Sequence, residues 1–304
     1  MGMYRNLVSD YGKPYLGLLF VMYFGIKGFT GALLRSVALP YFQRLHHVDL
    51  SDFHKLYIVA LIVPWCLKPL FGMLSDVFPI GGYRKRYYVT MASTLLALSV
   101  VVLAYAKPTM KEAMVAFSMG STGIMICDLL MEASYSEKLR TPGLRVSGNM
   151  IVSYVWILVL IGGVIGAVLV GTLADQGNIE TSVWFGVPAG TIMALLALFG
   201  EIPEHTVVRS CAAAKGRMDL IIVCVSLSFA AIIGAWLLFE MDSFSQMMFM
   251  VTLAALVLLL TFTVLPRTLA LCNTFMFLAD MLWIDFTGAT GKLFVCCKVS
   301  WVIF

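Results

Sequence analysis

Residues 64–88 read PWCLKPLFGMLSDVFPIGGYRKRYY. An apolar run starting at Pro64 carries one lysine, Lys68, and closes on Gly72, Ser75 and Asp76. A short Pro/Gly turn follows, then the basic triplet Arg84, Lys85 and Arg86, then a second apolar run. A soluble core has little use for that order, whereas a membrane protein has two uses for it. The triplet pins its loop to the cytoplasmic side of a bilayer. The glycine, the aspartate and the basic groups also supply a brace between two membrane helices that must slide or rock. The stretch therefore reads as the turn between two spans of a polytopic carrier.

Composition agrees. Of 304 residues, 61% are hydrophobic and 12% charged, against about 25% charged in a soluble domain. The net charge of +4 is scattered over short loops, so no basic stripe for nucleic acid forms. Cys66, Cys127, Cys224 and Cys272 lie inside apolar runs and read as small core residues. Cys296 and Cys297 are adjacent, which does not suit a simple zinc site. His46, His47 and His54 share a loop with Asp49 and Asp52, but the spacing is loose and the loop reads as a solvated face. No metal or cofactor is expected. The polar first residues lead into a run too long for a signal peptide, so the first span serves as its own targeting signal.

The chain divides into a polar tail, 1–14, then six expected spans over 15–200, a polar inter-bundle linker, 201–219, a partial second bundle of about three spans over 220–286, and a C-terminal stub, 287–304. The first six spans are expected at 15–43, 56–74, 87–106, 114–131, 150–173 and 184–199. Pro64 should kink the second span and free a carbonyl. In the fifth, Gly162 with Gly166 and Gly163 with Ala167 form small-xxx-small pairs that mark a close helix contact. A cytoplasmic N-terminus puts Arg5, Lys13, the Arg84–Arg86 triplet, Lys138, Arg140, Arg145, Arg209, Lys215, Arg217 and Arg267 on the inner side. Only Arg44, Lys55, Lys107 and Lys111 fall outside.

The chemistry is expected where ionisable groups enter the spans. Lys27, Arg35, Lys68, Asp128 and Glu132 are costly in hydrocarbon unless they face one another or a polar cavity. Asp128 and Glu132 stand four residues apart, on one helix face. Ion pairs that merely fix packing would use the same residues. A cavity holding both signs suits an organic anion or zwitterion with a hydrogen-bonding ring. There is no GxSxG, no HExxH and no compact Ser/His/Asp set, so an enzyme is not expected.

The Gly72, Asp76, Arg84, Lys85 and Arg86 pattern resembles the loop between the second and third helices of major facilitator carriers. The whole of 64–88, the YFGIKGF of Tyr23–Phe29 and the LCNTFMFLADMLWIDFTGA of Leu271–Ala289 resemble the folate–biopterin transporter family, and the trypanosomatid pteridine and folate transporters most of all. The resemblance implies an all-α, major-facilitator-like fold of two six-helix bundles around a central path. It implies a plasma-membrane carrier of folate, biopterin or related compounds, driven by protons. Asp128, then Glu132, is the candidate to accept a pterin's amino-pyrimidinone edge, and Asp128 is again the candidate to couple the proton. Lys27, Lys68 or Arg35 would neutralise a glutamyl tail, and Tyr23, Phe24 or Trp65 would stack on the ring. With about nine apolar stretches, the first bundle is complete and the second incomplete, as in a C-terminally truncated member. Two other readings stay open. One is a non-transporting or regulatory membrane protein that self-associates or pairs with full-length relatives. The other is a carrier of a different organic anion.

Overall fold

The computed structural model describes residues 2–106, 108–139, 148–200, 202–204, 206, 218–240 and 243–264, with single positions at 267, 271 and 274. The expected ninth apolar stretch, the C-terminal stub and most of the linker, with Arg209, Lys215 and Arg217, lie outside the described residues, as do Lys107, Arg140 and Arg145.

Described residues form helices and, apart from one isolated bridge in a turn, no β-structure. A short helix α1 (Gly2–Tyr11) occupies the stretch expected to be a polar tail, and it buries Leu7 and Tyr11. Six helical segments are then long and apolar enough to cross a membrane: α2 (Lys13–His46), α3 (Asp52–Val77), α4 (Arg86–Tyr105), α5 (Met110–Leu139), α6 (Met150–Asp175) and α7 (Ile179–Leu198). Two more helices follow, α8 (Met218–Glu240) and α9 (Ser243–Val264). They pack on each other, and α8 packs on α3. The chain is thus an all-α polytopic membrane protein.

The main contacts inside the six-helix unit are α4 with α5, α2 with α6, and α4 with α7. The α2–α6 contact is made by glycines. A Cβ on Gly166 would come within 2.6 Å of the Phe29 carbonyl oxygen, and one on Gly28 within 2.7 Å of the Val159 carbonyl oxygen. Gly162 faces the Phe24 carbonyl as tightly. The Gly162–Gly166 pair therefore marks a close helix contact, as its spacing predicts. Gly163 is looser: an added Cβ would lie 3.9 Å from the Ala32 methyl group.

The helix ends differ from the expected spans where polar residues extend an apolar run. An apolar window ends α5 near Met131, yet the helix continues to Leu139 and carries Glu132 and Glu137 on the same rod as Asp128. The polar last turns pack against other parts of the bundle: Tyr15 hydrogen-bonds Ser134 at 3.2 Å, and the Lys138 ammonium lies 4.2 Å from the centre of the Tyr15 ring. Cys66, expected in the core, is exposed, whereas Cys127 and Cys224 are buried.

The α3–α4 loop, the C-terminal end of α5 and the segment after α7 gather at one end of the bundle, where Arg86 donates to the Leu198 carbonyl at the C-terminus of α7. At the opposite end Arg44 donates to the Ala174 carbonyl near the C-terminus of α6 at 2.6 Å. Each guanidinium thereby satisfies a carbonyl left over at a helix end and opposes the local dipole.

Candidate functional site

Two helices are locally unwound where they carry the candidate lysines. In α2, Val21–Thr30 is π-helical. Its Gly25 and Gly28 weaken the regular helix, and Thr30 Oγ1 donates to the Gly25 carbonyl at 2.9 Å, binding the wider turn. Lys27 sits within this segment. In α3, a π-helical turn at Ile58–Ile62 precedes Pro64, and the helix breaks at Leu67 and restarts as Lys68–Val77. Pro64 cannot donate to the ladder. The buried Ser121 hydroxyl of α5 donates to the Leu61 carbonyl of this opened turn at 2.9 Å. Lys68 is thus the first residue of a half-helix, where the positive end of the dipole adds to its own charge. Short π segments and broken helices recur at functional sites because they redirect side chains into a packed interior.

The two lysines converge on one face of α5. Lys27 Nζ lies 2.8 Å from Asp128 Oδ1 and 3.5 Å from Glu132 Oε1. Lys68 Nζ lies 2.7 Å from Asp128 Oδ2 and 3.4 Å from Glu132 Oε2. Each ammonium bridges both carboxylates, and each carboxylate meets both ammonium groups. The quartet has no net charge. Asp128 is fully buried, and the Glu132 side chain is 37% exposed. Aromatic faces line the lysines. Lys27 Nζ is 5.2 Å from the Trp156 ring centre and 5.7 Å from that of Tyr23, and Lys68 Nζ is 5.1 Å from that of Trp65. Cation–π contact of this kind holds an ammonium without neutralising it.

The structure brings together four of the five ionisable candidates. Arg35 stands apart, with an exposed side chain and no ion pair among the described residues. Trp156, which contacts Lys27 from α6, was not among the residues expected to stack. In the sequence it shows only as one of two aromatic residues, with Tyr154, at the start of a mostly aliphatic run.

The α3–α4 loop forms a second charged cluster. Ile80 and Tyr83 bridge a tight turn in which Gly81 and Gly82 both have positive φ, 60° and 84°, as a two-residue turn of this hand requires. Asp76 Oδ1 is 4.0 Å from Arg84 Nη1. The closer partners were not expected. Glu204 accepts from the backbone amides of Arg84 at 2.6 Å, of Lys85 at 3.0 Å and of Arg86 at 3.2 Å. The buried Lys85 ammonium pairs with Glu137. Gly72 faces Leu129 of α5 at ordinary contact distance, since an added Cβ would lie 3.6 Å from the nearest leucine carbon. In this conformation its lack of a side chain does not set the helix separation.

A bundle of helices long and apolar enough to cross a membrane, around a buried, charge-balanced cluster, defines a polytopic membrane protein with a polar interior. The chain belongs to the BT1 family, whose model matches residues 27–296. It is similar to the probable folate-biopterin transporter 4 of Arabidopsis thaliana, 26% identical over 181 residues, which cover 58% of this chain and 36% of that protein. It is 26% identical over 136 residues to the folate-biopterin transporter of Synechocystis, covering 45% of this chain and 25% of the relative. A shorter stretch of 59 residues is 36% identical to folate transporter 1 of Plasmodium falciparum, covering 19% of this chain and 11% of the relative. The matched region spans about a third or less of the length of these curated relatives. No solved structure matches the chain at a significant level.

Proposed function

We propose that the chain carries pteridines, folate or biopterin or both, across the plasma membrane by alternating access of a major-facilitator-like fold, together with protons, with its N-terminus in the cytoplasm. The observation that carries this reading is the neutral quartet of Lys27, Lys68, Asp128 and Glu132 on two unwound helices and one continuous one. The names of its relatives support the pteridine class, and the concentration of Lys and Arg on one set of loops supports the orientation.

In this reading the lysines hold the carboxylate of a folate tail by charge-assisted hydrogen bonds. A carboxylate of the quartet accepts the amino-pyrimidinone edge, and Tyr23, Trp65 and Trp156 offer faces for the ring. An anion entering a neutral buried site brings an uncompensated charge, which a proton taken up on Asp128 or Glu132 cancels. The cluster of Asp76, Arg84, Lys85 and Arg86 holds one conformation and opens in the other.

Uptake of labelled biopterin and folate by cells expressing residues 1–304, at two external pH values and with surface expression confirmed, tests the proposal. Folate uptake should rise at acidic outside pH, and uptake of either compound should collapse in Asp128→Asn. No uptake from protein that reaches the surface overturns it. The lysines read charge as well as shape, so a different organic anion is the competing cargo. If unlabelled folate and biopterin fail to compete with a transported anion, that alternative stands.

A further inference from the structure

The two carboxylates of the quartet are not equivalent. Taking the quartet as the substrate site proposed above, we infer that Glu132 is the carboxylate that releases its lysines to an arriving substrate anion and takes up the coupled proton, while Asp128 remains as the anchor of both ammonium groups. Asp128 meets the two lysines at 2.8 and 2.7 Å, one through each oxygen; the Lys68 contact is a charge-assisted hydrogen bond of normal length, and the Lys27 contact is a close ion pair that leaves Oδ1 without a hydrogen bond. Glu132 meets the same lysines at 3.5 and 3.4 Å. Asp128 is sealed from solvent, whereas the Glu132 side chain is 37% exposed. Long ion pairs in contact with water contribute little and exchange readily, and stripping a sealed carboxylate of both these cations is far more costly.

The position of Glu132 fits the exchange. It lies one turn beyond Asp128 on the same face of α5, so a carboxylate taking its place meets both ammonium groups while Asp128 keeps them aligned. The ionisable groups around it are Lys27 and Tyr23 from α2, Lys68 from α3, and Asp128 and Tyr135 from α5 itself. Trp156 and Trp65 keep their contacts with the two ammonium groups during the exchange. The charge balances in one step. One carboxylate of the substrate pairs with the lysines, one proton passes from a solvent hydronium ion to a Glu132 oxygen and leaves water behind, and no other covalent bond forms or breaks. A ligand without a carboxylate leaves Glu132 paired and requires no proton.

Calorimetric titration of the full chain in detergent, in two buffers of different ionisation enthalpy, counts protons taken up per ligand bound. Folate should take up about one proton and biopterin none. Glu132→Gln should bind folate with no proton uptake and with an affinity that no longer changes with pH, and Glu132→Asp should restore the uptake. Proton uptake that survives in Glu132→Gln and vanishes in Asp128→Asn overturns the assignment, as does equal uptake with folate and biopterin. Folate binding without proton uptake in the unmodified chain overturns the assignment and leaves the pteridine reading standing. Failure of both ligands to bind overturns both.

Discussion

The backbone amide of Lys85 hydrogen-bonds both carboxylate oxygens of Glu204, each at 3.0 Å. The amides of Arg84 and Arg86 meet the same carboxylate. Helix α4 begins at Arg86, so Glu204 satisfies donors that the helix start leaves without partners and places a negative charge at the positive end of its dipole. It does so from the segment behind α7, which leads toward α8. Two rods join this end of the bundle to the quartet. The half-helix Lys68–Val77 has Lys68 at its start and Asp76 near its end, and α5 carries Asp128, Glu132 and Glu137. A shift of either rod is therefore felt at both clusters.

Replacing Glu204 should loosen that junction. Glu204→Ala removes a cap worth about 1–2 kcal/mol, and Glu204→Gln should cost less because an amide oxygen still accepts hydrogen bonds. Hydrogen exchange provides the local readout: the amides of residues 84–86 should lose protection in Glu204→Ala, while those in the middle of α4 keep theirs. Unchanged exchange at 84–86 would show that the carboxylate does not hold this turn.

The quartet makes an unequal prediction for stability. Asp128→Asn leaves two ammonium groups with one distant, half-exposed carboxylate, and breaking a buried pair in this way costs about 3–5 kcal/mol. Glu132→Gln removes only long, solvent-touched contacts and should cost about 1 kcal/mol or less. Adding Lys27→Met to Asp128→Asn should recover part of the loss, since it removes one of the stranded charges. Unfolding of the three variants in detergent checks the order. Equal losses for the two carboxylates would contradict the difference in burial.

Lys68 and Asp128 stand out in the sequence because a charge inside an apolar span needs a partner. The i,i+4 spacing of Asp128 and Glu132 puts them on one face without any structure. Arg35 carries the same type of signal, yet it is exposed and apart from the quartet, because an apolar context shows the cost of a charge and not its direction. Glu204 was invisible for a different reason. Its partners are backbone amides, which leave no complementary residue in the sequence. Glu137 was hidden by the polar last turns of α5, which end the apolar pattern but not the helix. Gly72 matched a loop pattern in which a glycine permits close approach, and here it meets Leu129 at ordinary distance.

The glycines of α6 give a test of the fold that does not involve the charged site. A Cβ at Gly166 would meet the Phe29 carbonyl oxygen at 2.6 Å, a backbone atom that cannot turn aside. Gly166→Ala must push α6 away from the π-helical part of α2, an overpacking cost of about 1–3 kcal/mol. Gly171, on the same helix, has open space around it, so Gly171→Ala should be neutral or slightly stabilising through helix propensity alone. The displacement in Gly166→Ala also reaches Lys27, which lies in the stretch of α2 that α6 holds. Folate affinity should fall together with thermal stability in Gly166→Ala and in neither respect in Gly171→Ala. Comparable thermal stability of the two variants would mean that α2 and α6 do not pack on this glycine face.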